Sequence, residues 1–122
     1  MVLDDAVLRR HVGGVAVMRE QIDHLIAMTD RPNVDIQVLR FSAGAHAAGS
    51  GGHFLLLGRD DERDPLSSMN VVYLELHRRG LYLDDSTDVH NYKIMFDYLR
   101  SQAADTATSL ELLAAARQEL TP

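Results

Sequence analysis

The sequence predicts an α+β fold: a small, mainly antiparallel sheet packed by amphipathic helices on one face. Three observations predict it. Met18, Ile22, Leu25 and Ile26 recur at the helical period, and Val89, Tyr92, Phe96, Leu99 and Ala103 do so again later in the chain. Between these stripes lie short apolar runs with the period or the length of strands: Val34 to Val38, Phe54 to Leu57, Asn70 to Leu76 and Leu81 to Leu83. The order is helix, two strands, two strands, two helices, so strands and helices are segregated rather than alternating.

Taken in order, Met1 to Leu3 is an extended entry, followed by a brief helical turn over residues 5–9 that Gly13-Gly14 breaks. Val15 to Thr29 is the first full helix, and Arg31-Pro32 ends it because the residue before proline disfavours helix. In Asn33 to Arg40, Val34, Ile36 and Val38 alternate with Asp35 and Gln37, the period of a half-buried strand. Phe54 to Gly58 is a continuous apolar run, short enough for a buried strand. The link between these strands holds Gly44, Gly49, Gly51 and Gly52, which permit sharp turns and close backbone approach. Asp60 to Met69 (DDERDPLSSM) is a solvated loop, and Arg78-Arg79-Gly80 is a tight turn between the last two strands. Asp84 to Asp88 starts a helix, with Ser or Thr expected to cap the exposed N–H groups and the acids suiting the positive helix end. Asp105 to Thr108 interrupts, and Ser109 is the expected cap of a last helix through Leu120.

The length of 122 residues fits one domain over 1–122. A net charge of −6 argues against nucleic acid and anionic membranes, both of which attract clustered Lys and Arg. There are no cysteines, which excludes disulfides, thiolate zinc sites and thiol catalysis. No apolar run approaches the length of a membrane span, and MVLDDAVLRR is not a signal peptide, so a cytoplasmic location is expected.

The six histidines, His11, His24, His46, His53, His77 and His90, show no metal-ligand spacing, so no metal and no cofactor is expected. The acidic run Asp60-Asp61-Glu62 with Asp64 lacks the ligand positions and central glycine of a calcium loop. The glycine-rich link lacks GxxxxGK[ST] and GxGxxG, and no serine sits in GxSxG, so nucleotide binding and serine hydrolysis are unsupported. His46 and His53 bracket that link, while Tyr73, Glu75 and His77 share one face of a strand by the period of two. His46, His53, Tyr73, Glu75, His77 and, from the next strand, Tyr82 are therefore the candidate ligand-binding residues. His46, His53, Tyr73 and Glu75 are the candidates for acid–base work. The competing reading is that they are separate polar surface residues.

The run from VLRRHVGGVAVMREQIDHLIAMTDRPNVDIQVLRFSAGAHAAGSGGHFLLL through VVYLEL to GLYLDD and VHNYKIMFDYLR resembles the C-terminal, antitoxin-like domain of the helix-turn-helix (XRE-type) transcriptional regulators of actinobacteria. The likeness runs from about Val2 to Leu120, without the DNA-binding half and without the helices that normally precede the equivalent of Val2. Arg40 stands where the family usually has proline, and the loop Asp60 to Met69 is longer than usual. The resemblance implies a fold and a regulatory setting, and it brings no catalytic residues with it. The function expected from it is a regulatory module that binds a small-molecule ligand or a small protein partner and not DNA, with homodimerisation through a sheet edge or helix face as an option. The alternative is a stand-alone enzyme recruited from that domain for natural-product biosynthesis. Its apolar pocket would guide cyclisation, isomerisation or proton transfer on a small organic substrate, with His46, His53, Tyr73, Glu75 and Tyr82 as candidates.

Overall fold

The computed structural model describes residues 1–49, 51–59, 63 and 69–120. Its elements are β1 (Val2–Asp4), α1 (Asp5–Arg9), α2 (Gly14–Met28), β2 (Gln37–Leu39), a single 3₁₀ turn (Phe41–Ala43), β3 (Phe54–Arg59), β4 (Met69–Glu75), β5 (Gly80–Leu83), α3 (Ser86–Gln102) and α4 (Thr106–Glu119). The class is α+β, as the segregated pattern predicts. The chain forms two compact units, Met1–His46 with Leu99–Pro122, and Ala47–Tyr98.

The first unit holds the larger core. Leu8, Met18, Ile22, Ile36, Val38, Leu113, Ala116 and Leu120 are buried together, and Ile22, Val38 and Leu113 are almost wholly removed from water. The stripe Met18–Ile22–Leu25–Ile26 supplies the α2 face of this core, where α2 packs on α4. Asp4 caps α1 by accepting the Ala6 N–H at 2.8 Å. Gly13 caps α2 from the left-handed region, at φ 76°. Arg9 bonds Glu119 and Arg117 bonds Asp23, tying α1 and α2 to α4.

The strand expected over Asn33 to Arg40 is shorter, because Val34 N–H turns back to Arg31 C=O at 3.1 Å and leaves only Gln37–Leu39 extended beside a partner. That partner is β1, in parallel, with Val2 opposite Gln37 and Asp4 opposite Leu39. Parallel neighbours need a crossover, and α1 and α2 provide it. The other edge of β2 is also occupied. Ala104 N–H donates to Val38 C=O at 2.9 Å, and Val38 N–H donates to Ser109 Oγ at 2.8 Å.

The single sheet expected from the sequence is therefore two sheets: a parallel pair β1–β2 and an antiparallel meander β3–β4–β5. With β1 on one side and the α3–α4 corner on the other, both edges of β2 are occupied. Ser109 is not the cap of α4. Asp105 takes that place, accepting the Thr108 N–H at 2.7 Å, and Ser109 lies a turn inside, fully buried. At the start of α3 the capping side chain is Asp85 rather than the expected Ser or Thr, and it accepts from Thr87 and Asp88 N–H at 2.9 and 3.3 Å. The solvated loop expected over Asp60 to Met69 lies outside the described residues, apart from Arg63 and the Met69 backbone.

Candidate functional site

The second unit positions most of the candidate residues. Register places Leu55 opposite Tyr73 and Leu57 opposite Val71 between β3 and β4, and Tyr73 opposite Tyr82 and Glu75 opposite Gly80 between β4 and β5. The period of two then divides the sheet. One face carries Phe54, Leu56, Val72 and Leu74; on it Val72 is fully buried and Phe54 meets Tyr92 of α3 edge to face, with ring centroids 5.0 Å apart. The other carries Leu55, Leu57, Tyr73, Glu75 and Tyr82. The buried strand expected at Phe54 to Gly58 is instead only half-buried, on the side of Phe54 and Leu56, with Leu55 and Leu57 half exposed on the other and Tyr82 more so. A three-stranded meander has only one face for its helix to cover, and β3 lies at its edge.

On the second face two contacts assemble. Tyr73 and Tyr82 pack ring on ring, with centroids 4.9 Å apart. Gly80 makes room for this, since a Cβ there would collide with the Tyr73 ring. One residue before β3, His53 reaches across to Glu75, Nε2 to Oε2 at 3.4 Å. Both side chains are mostly in water, 68% and 63% exposed, so the pair is held loosely. His77 stands beyond the end of β4, exposed in the turn closed by Leu76 N–H to Arg79 C=O at 2.8 Å.

His46 belongs to the first unit, where its Nε2 lies 3.7 Å from Asp4 Oδ2. Its Nδ1 is buried and has no hydrogen-bond partner among the described residues. Of the candidates, then, His53 joins Glu75 and Tyr73 joins Tyr82, while His46 is placed with Asp4 instead.

A cleft of about 250 Å³ opens where β3 begins and β4 ends. Its apolar walls include Phe54, Leu74, Leu76, Tyr92 and Met95, its polar groups are His53 and Glu75, and Gly51 and Gly52 border it. The aromatic and thioether walls lie outside the polar set that the sequence singles out. The signal for them was in the sequence: Tyr92 lies on the stripe of the second helix with Met95 three residues on, and Leu74 alternates with Glu75. Among the described residues no group of three or more His, Asp or Glu side chains could hold a metal, and no helix is long and apolar enough to cross a membrane.

No curated protein and no solved structure matches the chain. A family model does, over residues 1–115, and its family is described as a domain of unknown function, DUF5753. With nearly its whole length covered by that match, the chain belongs to the DUF5753 family.

Proposed function

We propose that this protein is a regulatory ligand-binding module, related to the C-terminal domain of helix-turn-helix transcriptional regulators, and that it binds a small molecule in the cleft beside His53 and Glu75. The observation that carries this reading is the cleft itself. Apolar and aromatic side chains wall it and two convergent polar groups stand at its rim, the usual composition of a small-ligand site. The net charge of −6 supports a partner other than DNA.

A second reading is supported by the half-exposed Leu55 and Leu57 with Tyr82 on the outer sheet face: a small protein partner, or a second copy, that covers this face. An enzyme recruited from the domain needs its acid and base shielded from water, and the exposure of both His53 and Glu75 speaks against it.

The test is a thermal-shift screen against extracts and intermediates of the native host, with mass spectrometry of each hit. A ligand that binds only the folded state raises the apparent stability by mass action. The proposal expects a compound that raises Tm and is recovered unchanged, with the rise lost in Met95→Arg. Recovery of a converted compound replaces the sensor with an enzyme. No stabilising compound, together with a protein captured through Leu55 and Leu57, replaces it with the partner reading.

A further inference from the structure

The geometry points to a small organic cation as the occupant of the cleft: an amine, primary to quaternary, on a short apolar or aromatic body. This rests on the ligand-binding reading above and narrows it to a chemical class. The charges on the wall argue for it first. Glu75 is the one carboxylate among the described lining residues, no lysine or arginine stands beside it there, and its partner is an imidazole. The rim thus presents one carboxylate and no lysine or arginine, inside a chain whose net charge is −6. That field draws cations in and repels carboxylates and phosphates.

The walls argue for the rest. Phe54 and Tyr92 form an edge-to-face pair, and Met95 adds a polarisable thioether. Aromatic rings attract cations through their negative faces while still packing on an apolar body. The volume of about 250 Å³ falls below the roughly 300–1,000 Å³ of pockets for drug-sized ligands. The guest is thus a compact metabolite-sized amine rather than a polycyclic one. A neutral guest of the same shape gains the walls without the carboxylate, and an acid meets Glu75 as a like charge.

The experiment uses the full chain and three probes of matched size: phenethylammonium, 2-phenylethanol and 3-phenylpropionate. Affinity is read by calorimetry or chemical-shift titration at constant ionic strength. The amine is expected to bind about fivefold tighter than the alcohol, from one exposed charge pair and one cation–ring contact, and the acid weakest of all. Glu75→Gln should erase the preference for the amine with Tm unchanged. Glu111→Gln, which removes the same charge from α4, should leave it intact.

Equal binding of the three probes, a preference for the acid, no binding of any, or an amine preference that survives Glu75→Gln would each overturn the assignment. A neutral or acidic extract compound whose binding is lost in Met95→Arg overturns the amine class and leaves the ligand-binding reading standing. An extract amine indifferent to both Glu75→Gln and Met95→Arg overturns the two together.

Discussion

Removing one oxygen from Ser109 should destabilise the protein out of proportion to its size. The hydroxyl is fully buried, accepts the Val38 N–H at 2.8 Å and donates to the Ala104 carbonyl at 3.3 Å. Val38 is itself fully buried, so water cannot replace the lost acceptor. Ser109→Ala therefore orphans a backbone donor, at a cost of about 1–3 kcal/mol. For a chain of this length each kcal/mol lowers Tm by roughly 4 °C, so the expected fall is about 4–12 °C. Urea unfolding followed by circular dichroism should give a lower midpoint at an unchanged slope. Amide exchange should accelerate at Val38 in particular. A stability change under about 0.5 kcal/mol, or an unchanged Val38 exchange rate, would refute the reading of Ser109 as the partner of the β2 edge.

Three further outcomes follow from the same structure. Gly13→Ala forces a side chain into the left-handed region at φ 76°, with its Cβ 2.9 Å from Val17 Cγ1; it should cost about 1–2 kcal/mol by urea unfolding, and no loss would remove the strain argument. Gly80→Ala drives a Cβ into the Tyr73 ring and should separate Tyr73 from Tyr82, costing about 1–3 kcal/mol. An unchanged near-ultraviolet tyrosine signal in that variant would contradict it. The Thr108 N–H holds the Asp105 carboxyl below its ordinary value. A depressed folded value means that its contribution is full above about pH 4 and fades as pH falls through the folded value, so Tm should drop more steeply between about pH 4 and 2 in the native chain than in Asp105→Ala. Equal slopes would show that the cap carries no linked proton. The Arg117 hydrogen bond lowers the Asp23 carboxyl likewise, so the Asp105→Ala chain keeps part of its acid sensitivity.

The candidate site was legible in part. The period of two put Tyr73 and Glu75 on one strand face, and register then brought Tyr82 and His53 to them across neighbouring strands. The same rule, applied to residues 53–57, makes one face polar or half exposed and the other apolar, although the bare run Phe54 to Leu57 reads as buried on both. His46 was beyond such reasoning. It stands seven residues before His53 in sequence, yet its neighbour in the fold is Asp4, a pairing across so many residues that no local signal announces. Tyr92 was visible as a helix-stripe residue, but neither it nor Met95 as a wall of a cleft, since a helical period states which residues share a face and not what that face meets.

The sequence by itself determined the elements and their class. Period, helix-start residues and glycine–proline breaks are local signals, and they placed α2, β3, β4, β5 and α3 within a residue or two of where they lie. Tertiary structure alone decided how the strands divide. A strand has two edges, and nothing in Gln37–Leu39 announces that one edge takes β1 while the other is closed by Ala104 and Ser109. Ser109 shows the same limit: its residue type favours a helix cap, but Asp105 captured the free N–H groups first and the serine was left to satisfy a strand some 70 residues away in sequence. Local propensity acts over a few residues, whereas unpaired backbone donors and acceptors must be satisfied by whatever the fold brings beside them.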